Sequence, residues 1–194
     1  MILLAACAPE TRTDAAAGRA APGERLIRVV CDNNYPPYAF TGADGKLEGI
    51  VVDQWRAWER ETGIAVELRG LPWSEALAAF DAGEAEVIDT IFNTEERRRR
   101  YAFTEPYANI EVPVFAHKSL SGIVGPEDLR GLKVAVKDGD AAILELIHAG
   151  VAELSLLPSY AAIIEAASRL DFRVFCVDAP PALYFLYKRG IDRD

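Results

Sequence analysis

An α/β fold with largely parallel strands is what this chain predicts, on three observations. Short β-branched runs alternate with helical patterns from Leu26 onward. Glycines stand where the first two helical patterns stop, at Gly63 and Gly83. A proline-containing loop, Tyr35-Pro36-Pro37-Tyr38, follows the first strand, and its prolines bar ladder pairing, so it projects from the sheet.

Taken in order, residues 26–31 are the first strand, closed by the turn-rich stretch 32–38. Ala43-Asp44-Gly45-Lys46 makes a hairpin-type turn. Residues 49–60 form a helix with Val51, Val52, Trp55 and Trp58 on one stripe, ended by Gly63. A second strand over 64–68 leads to a helix capped by Ser74, carrying Leu77 and Phe80 inward and ended at Gly83. The third strand is 87–91, after which Asn93 or Thr94 caps a short helix beginning at Glu95. Residues 110–117 are an extended crossing segment. Beyond it come a short helix over 126–130, a strand over 133–136 running into Asp138-Gly139-Asp140, a helix over 141–149, a strand over 154–157, a helix over 160–169 and a strand over 173–177. Pro180 and Pro181 open the last helix. The pattern implies two lobes, 25–112 and 113–194, joined near residue 112.

Composition narrows the function classes. At 194 residues, 51% of them hydrophobic, the chain can bury one or two sizeable cores. A formal charge of −9 opposes non-specific nucleic-acid binding, and the run Arg97 to Arg100 is too isolated to reverse that. No apolar stretch is long enough to span a bilayer. Three cysteines cannot all pair. Cys31 and Cys176 sit in apolar, strand-like runs and read as small buried hydrophobes, while His117 and His148 have no Cys or His at ligand spacing and read as surface residues. Neither a disulfide, a metal site nor a cofactor is expected.

Residues 1–24 read differently from the rest. Leu4-Ala5-Ala6-Cys7 resembles a bacterial lipobox, in which the Cys is acylated after cleavage, and the apolar run before it is too short for a complete signal peptide. Residues 8–24, rich in Ala, Gly, Pro and Thr, read as a flexible tether. Lipidation of Cys7 is therefore expected, along with a start assigned too late or a truncated gene.

Arg97 draws the functional reading. It lies in the first turn of a helix that follows a buried strand, at the strand end where open α/β sheets bind ligands, and its planar fork suits a carboxylate. Arg98, Arg99 and Arg100 read as a solvated face.

Several motifs in sequence order now converge: Asp32 with Tyr35-Pro36-Pro37-Tyr38, Asp44-Gly45 with Glu48-Gly49, Pro72-Trp73, Thr94-Glu95-Glu96-Arg97, Phe103-Thr104-Glu105-Pro106-Tyr107, and Lys133-Val134-Ala135-Val136-Lys137-Asp138-Gly139. In this order they resemble the extracytoplasmic solute-binding proteins of family 3 and the related Venus-flytrap sensor domains. The resemblance implies a periplasmic-binding-protein-like type II fold, with two α/β lobes and a ligand cleft between them. It also implies that the second lobe and the return segment to the first are incomplete here. Arg97 would take a ligand carboxylate, Asp178 its ammonium and Tyr35 its side chain, with Asp32, Tyr38, Thr90, Phe92 and Asp140 also in contact. Asp178 could instead cap the helix at Pro180, and Tyr35 and Tyr38 could simply pack. Phe92 stands where the family usually offers a small hydroxyl or a backbone contact, and Asp140 where it usually offers Thr or Ser at a helix amino end, which argues for a cationic or aromatic ligand over an ordinary amino acid. By resemblance, the protein captures a small polar solute for an ABC permease outside the cytoplasm. A sensor input domain of a histidine kinase or diguanylate cyclase is the alternative, and a dehydratase-like enzyme on the same scaffold a third. Asp140 or Glu105 would be the third reading's candidate acids.

Overall fold

A computed structural model of the chain describes residues 2–7 and 25–190. They form two compact units: Met1–Asn33, Tyr38–Leu71 and Glu75–Asn109 make the first, and Asn34–Pro37, Pro72–Ser74 and Ile110–Asp194 the second. Two short loop pieces from the amino-terminal half thus belong to the second unit.

In the first unit, strand β1 (Ile2–Cys7) precedes β2 (Leu26–Asp32). The two-residue strand β3 (Asn34–Tyr35) belongs to the second unit. Strands β4 (Ala39–Thr41) and β5 (Leu47–Glu48) then form the hairpin expected at Asp44-Gly45, with Gly45 at φ 79°. Helix α1 (Ile50–Thr62) lays Val51, Val52 and Trp55 inward against Val29, Cys31 and Ala39. It ends where Gly63, left-handed at φ 68°, donates its N–H to the Glu59 carbonyl at 2.9 Å. Strand β6 (Ala65–Leu71) and helix α2 (Trp73–Asp81) follow, then β7 (Val87–Phe92), the four-residue helix α3 (Glu95–Arg98) and β8 (Tyr101–Phe103).

Helix α2 starts at Trp73, directly after Pro72, so Ser74 is not its cap but an exposed residue of its first turn. Ala76, Ala79 and Phe80 form its buried stripe, and Leu77 is half-buried. The sheet order is β6-β2-β7-β1-β8. Strand β2 is parallel to both β6 and β7, and its Val29, Val30 and Cys31 have no solvent exposure.

The aromatic segment beyond Arg100 starts with strand β8. Between β7 and β8, antiparallel to both, runs β1. Ile2–Cys7 is thus sheet in this structure. Cleavage ahead of Cys7 would take residues 2–6 out of that sheet, so strand and lipidation are alternatives. The tether read over 8–24 lies outside the described residues.

The second unit contains β9 (Val114–Ala116), a 3-10 turn (Pro126–Leu129), β10 (Lys133–Lys137), α4 (Ala142–His148), β11 (Glu153–Leu157), α5 (Tyr160–Ser168), β12 (Val174–Cys176) and α6 (Ala179–Lys188). Its sheet order is β11-β10-β12-β9, with β10 parallel to both neighbours and β9 antiparallel to β12. Phe115 and Phe175, paired across that antiparallel ladder, stack at 4.9 Å. Leu129, Val134, Val136, Leu146, Val151, Val174 and Cys176 make a core cluster, and α5 buries Tyr160, Ile163 and Ile164.

Phe80, without solvent exposure and edge-on to Tyr101 at 5.1 Å, anchors α2 in the first unit. Phe80→Ala should cost about 3–5 kcal/mol. Urea unfolding of wild type and variant measures it, and a loss below about 1 kcal/mol would remove Phe80 from the core.

Candidate functional site

In a parallel sheet the loops after the strands collect at one end. In the second unit that end carries the polar residues. Strand β10 finishes on Lys137, followed by Asp138-Gly139-Asp140. Tyr160 opens α5 after β11, and Asp178 stands between β12 and α6. Exposure is 2% for Lys137, 9% for Asp140 and 1% for Asp178. Buried charge on that scale needs compensation close by.

The compensation is aromatic and hydroxylic. The Lys137 Nζ lies 3.8 Å from the Tyr160 ring centroid, 5.5 Å from Trp73 and 5.6 Å from Tyr35. Tyr160 donates its hydroxyl to Asp140 Oδ2 at 2.6 Å, and the Ala142 N–H donates to Asp140 Oδ1 at 3.0 Å. Tyr35 donates to Asp178 Oδ2 at 2.7 Å. Trp73 Nε1 donates to the Gly139 carbonyl at 2.9 Å, and Asn34 Oδ1 accepts from the Ala161 N–H at 3.1 Å. These bonds tie the loop pieces holding Tyr35 and Trp73 to the second unit.

Asp178 occupies the N-cap position of α6, yet its side chain makes no capping bond. The capping alternative left open above is therefore not realised. Its Oδ1 is buried and accepts no hydrogen bond from the described residues. Burial, then the Asp140 carboxylate, pushes the Asp178 carboxyl up to about 7, against the pull of the Tyr35 hydroxyl and Lys137. Burial also drives the Tyr160 phenol well above its ordinary range, and the Cys176 thiol up to about 12.

The first unit holds its own buried carboxylate, which sequence reasoning missed. Asp89, inside β7, accepts from Trp55 Nε1 at 2.7 Å, the Tyr107 hydroxyl at 2.7 Å and the Thr90 N–H at 2.6 Å. Burial raises its pKa, and those donors oppose the rise. Thr90 adopts φ 61°, where a β-branched residue is strained, and its Oγ1 bonds the Asp89 carbonyl at 2.6 Å. The register against β1 slips at this point, Leu3 facing Ile91 and Ala5 facing Ile88, so Asp89 and Thr90 form a bulge.

At the end of β7 the Thr94 hydroxyl caps α3 by accepting the Arg97 N–H at 3.2 Å, as expected, and Arg97 Nη1 donates to the Phe92 carbonyl at 3.3 Å. Phe92 thus offers backbone to Arg97. Arg97 is half-buried, whereas Arg98, Arg99 and Arg100 are exposed, with Arg99 paired to Glu95 and Arg100 to Asp81. Asp32 is buried at the end of β2, and Tyr38 packs half-buried against the α1 core. Of the expected residues, the second unit brings together Tyr35, Asp140 and Asp178, and the first unit holds Asp32, Tyr38, Thr90, Phe92 and Arg97. Lys137, Trp73 and Tyr160 were missed as site residues. A lysine closing the apolar run Val134-Ala135-Val136 was the signal available. His117 is half-buried with Nδ1 2.8 Å from Ser119 Oγ, and among the described residues no group of His, Cys, Asp and Glu is placed to hold a metal ion.

Two expectations follow. The folded pKa of Asp178 lies above its ordinary 3.8, so its stabilising contribution is complete below that value and is lost as pH rises through about 7. Thermal melts of wild type relative to Asp178→Asn should show wild type losing a few kcal/mol between about pH 4 and pH 8, and a flat difference would mean no raised carboxyl. Trp55→Phe removes one donor from Asp89 and should destabilise by about 1–3 kcal/mol in denaturant titration.

The chain matches the bacterial extracellular solute-binding proteins, family 3, over residues 27–166. It is 31% identical over 112 residues to the L-cystine-binding protein TcyJ of Escherichia coli, covering 57% of this chain and 42% of that protein. A probable amino-acid ABC transporter-binding protein of Haemophilus influenzae is 30% identical over 152 residues, 68% of this chain and 59% of the relative. The chain spans about half the length of these curated relatives. Among solved structures, a histidine kinase sensor domain with similarity to periplasmic binding proteins superposes with a TM-score of 0.81 at 30% identity, covering 88% of this chain and 75% of the other. An ancestral arginine-binding protein bound to arginine gives 0.77 at 23% identity, over 87% and 76%, a likeness of fold. With strand-end motifs, two α/β units and a family match across most of its length, the chain belongs to family 3 of the bacterial extracellular solute-binding proteins and has the periplasmic-binding-protein-like fold.

Proposed function

We propose that the protein captures a small polar solute, an amino acid or a related amine or carboxylate, outside the cytoplasm and delivers it to an ABC permease. The observation carrying this reading is the buried Asp178 Oδ1, unpartnered among the described residues, beside three aromatic rings at the ends of parallel strands. A fold stabilised only for its own sake has no use for such an atom, because an unsatisfied buried acceptor costs free energy that a solute's donor would recover. Arg97 is the carboxylate ligand in this reading, its guanidinium steadied by the Phe92 carbonyl. Relatives named for L-cystine and for amino-acid ABC transport support the solute class and the permease partner. The role is binding rather than catalysis.

The sensor reading is favoured by one observation, the likeness to a histidine kinase sensor domain at 30% identity. The reading frame beyond Asp194 and the neighbouring genes discriminate. A membrane-spanning helix followed by a kinase or cyclase in the same frame would favour sensing, and an adjacent permease gene would favour transport.

Isothermal titration of the full chain against amino acids, amines and small carboxylates tests binding itself. The expected result is saturable heat with at least one of them, weakened in Arg97→Lys by about 1.5–3 kcal/mol for the loss of a charge-assisted fork. Equal affinity in the variant would remove Arg97 from the site, and no heat from any of the three classes would sink the solute-binding reading.

A further inference from the structure

Lys137 is the anomaly of the second unit. It ends the central strand β10, its exposure is 2%, and its ammonium sits within 6 Å of three ring centroids, those of Tyr160, Trp73 and Tyr35. Two of those rings turn their hydroxyls to carboxylates, Tyr160 to Asp140 and Tyr35 to Asp178. Several π-faces backed by negative charge are what recognise an organic ammonium ion. Here the chain supplies that ion itself.

Lys137 already sets one positive charge against the buried Asp140 and Asp178 carboxylates, so the solute does not have to bring the cation that this desolvated space needs. The group still in need of a partner is the buried Asp178 Oδ1, which requires a hydrogen-bond donor and not another cation. A hydroxyl meets that need without adding charge. We propose that Lys137 is a built-in ammonium occupying the aromatic cage, and that the solute is a 2-hydroxy carboxylic acid whose hydroxyl donates to Asp178 Oδ1 where an α-amino acid would offer its ammonium. This rests on the solute-binding reading above and narrows its ligand class.

The test is calorimetry at neutral pH on the full chain with matched pairs of one skeleton each: lactate with alanine, phenyllactate with phenylalanine, malate with aspartate. Wild type should bind the hydroxy member of its preferred pair about tenfold or more tighter than the amino member. Lys137→Met, of similar length and uncharged, should move that ratio about tenfold or more toward the amino acid, while Lys137→Arg, which keeps the cation, should preserve the wild-type order. Circular dichroism melts establish that each variant is folded, and should Lys137→Met not fold, the wild-type and Lys137→Arg rankings decide. Wild type preferring the amino members, or a folded Lys137→Met with an unchanged ratio, overturns the inference and leaves the solute-binding reading standing. No binding by any pair, or by the wider panel above, overturns both.

Discussion

A charge taken out of water must find its compensation within a few ångströms, and the ends of β10 and β12 bury three charged side chains together: Lys137, Asp140 and Asp178. Much of the second unit's organisation follows from this. Tyr160 must stand first in α5 for its ring to lie under Lys137 and its hydroxyl to reach Asp140. Tyr35 and Trp73 must leave the chain segments around them to reach Asp178 and the Gly139 carbonyl, which is why two pieces of the amino-terminal half are counted with this unit. Apolar side chains of like volume would stabilise such a place at least as well. Its retention points to use rather than to stability.

The two buried carboxylates that dominate the units differ in one respect that separates structure from function. Asp89 is saturated: an indole, a phenol and a backbone N–H cover both oxygens and hold the bulge at Thr90 in place. Asp178 accepts from the Tyr35 hydroxyl on Oδ2, the Tyr160 hydroxyl also favours its ionised form, and its buried Oδ1 has no hydrogen-bond partner among the described residues. Burial pushes both carboxyls up, and at Asp178 the Asp140 carboxylate adds to the rise. A bulge stabilised by a saturated carboxylate also shapes the end of β7, from which Thr94 and Arg97 follow. Family membership and the likeness to both transport binders and a sensor domain fit one scaffold whose output is set elsewhere in the system.

How much was legible depended on whether the signal was local. Gly63 announced the end of α1 because a left-handed residue is a property of one position, and Thr94 announced α3 because its hydroxyl reaches only three residues on. Strand β8 was missed because three residues of mixed character carry no periodic signal until a neighbour pairs with them. That Ile2–Cys7 pairs as a strand was likewise not legible, because an apolar hexamer has no intrinsic preference for sheet until neighbours pair with it. Asp178 and Tyr35 entered the candidate site by family motif, whereas Lys137 passed as one more residue of a strand, since nothing local marks a lysine as buried.

Short windows of the chain carry the α/β class, the alternation of strands and helices and the family, because periodicity, caps and motif order are local. Folding alone brings Trp55 and Tyr107 to Asp89, Tyr35 rather than a helix terminus to Asp178, and Lys137 against the rings of Tyr160, Trp73 and Tyr35. Those partners are separated by 18 to 143 residues, from Tyr107 with Asp89 to Tyr35 with Asp178. A hydrogen bond or a ring contact acts over a few ångströms of space, and no spacing in the chain encodes it until the strands have paired and the loops at their ends have been brought together.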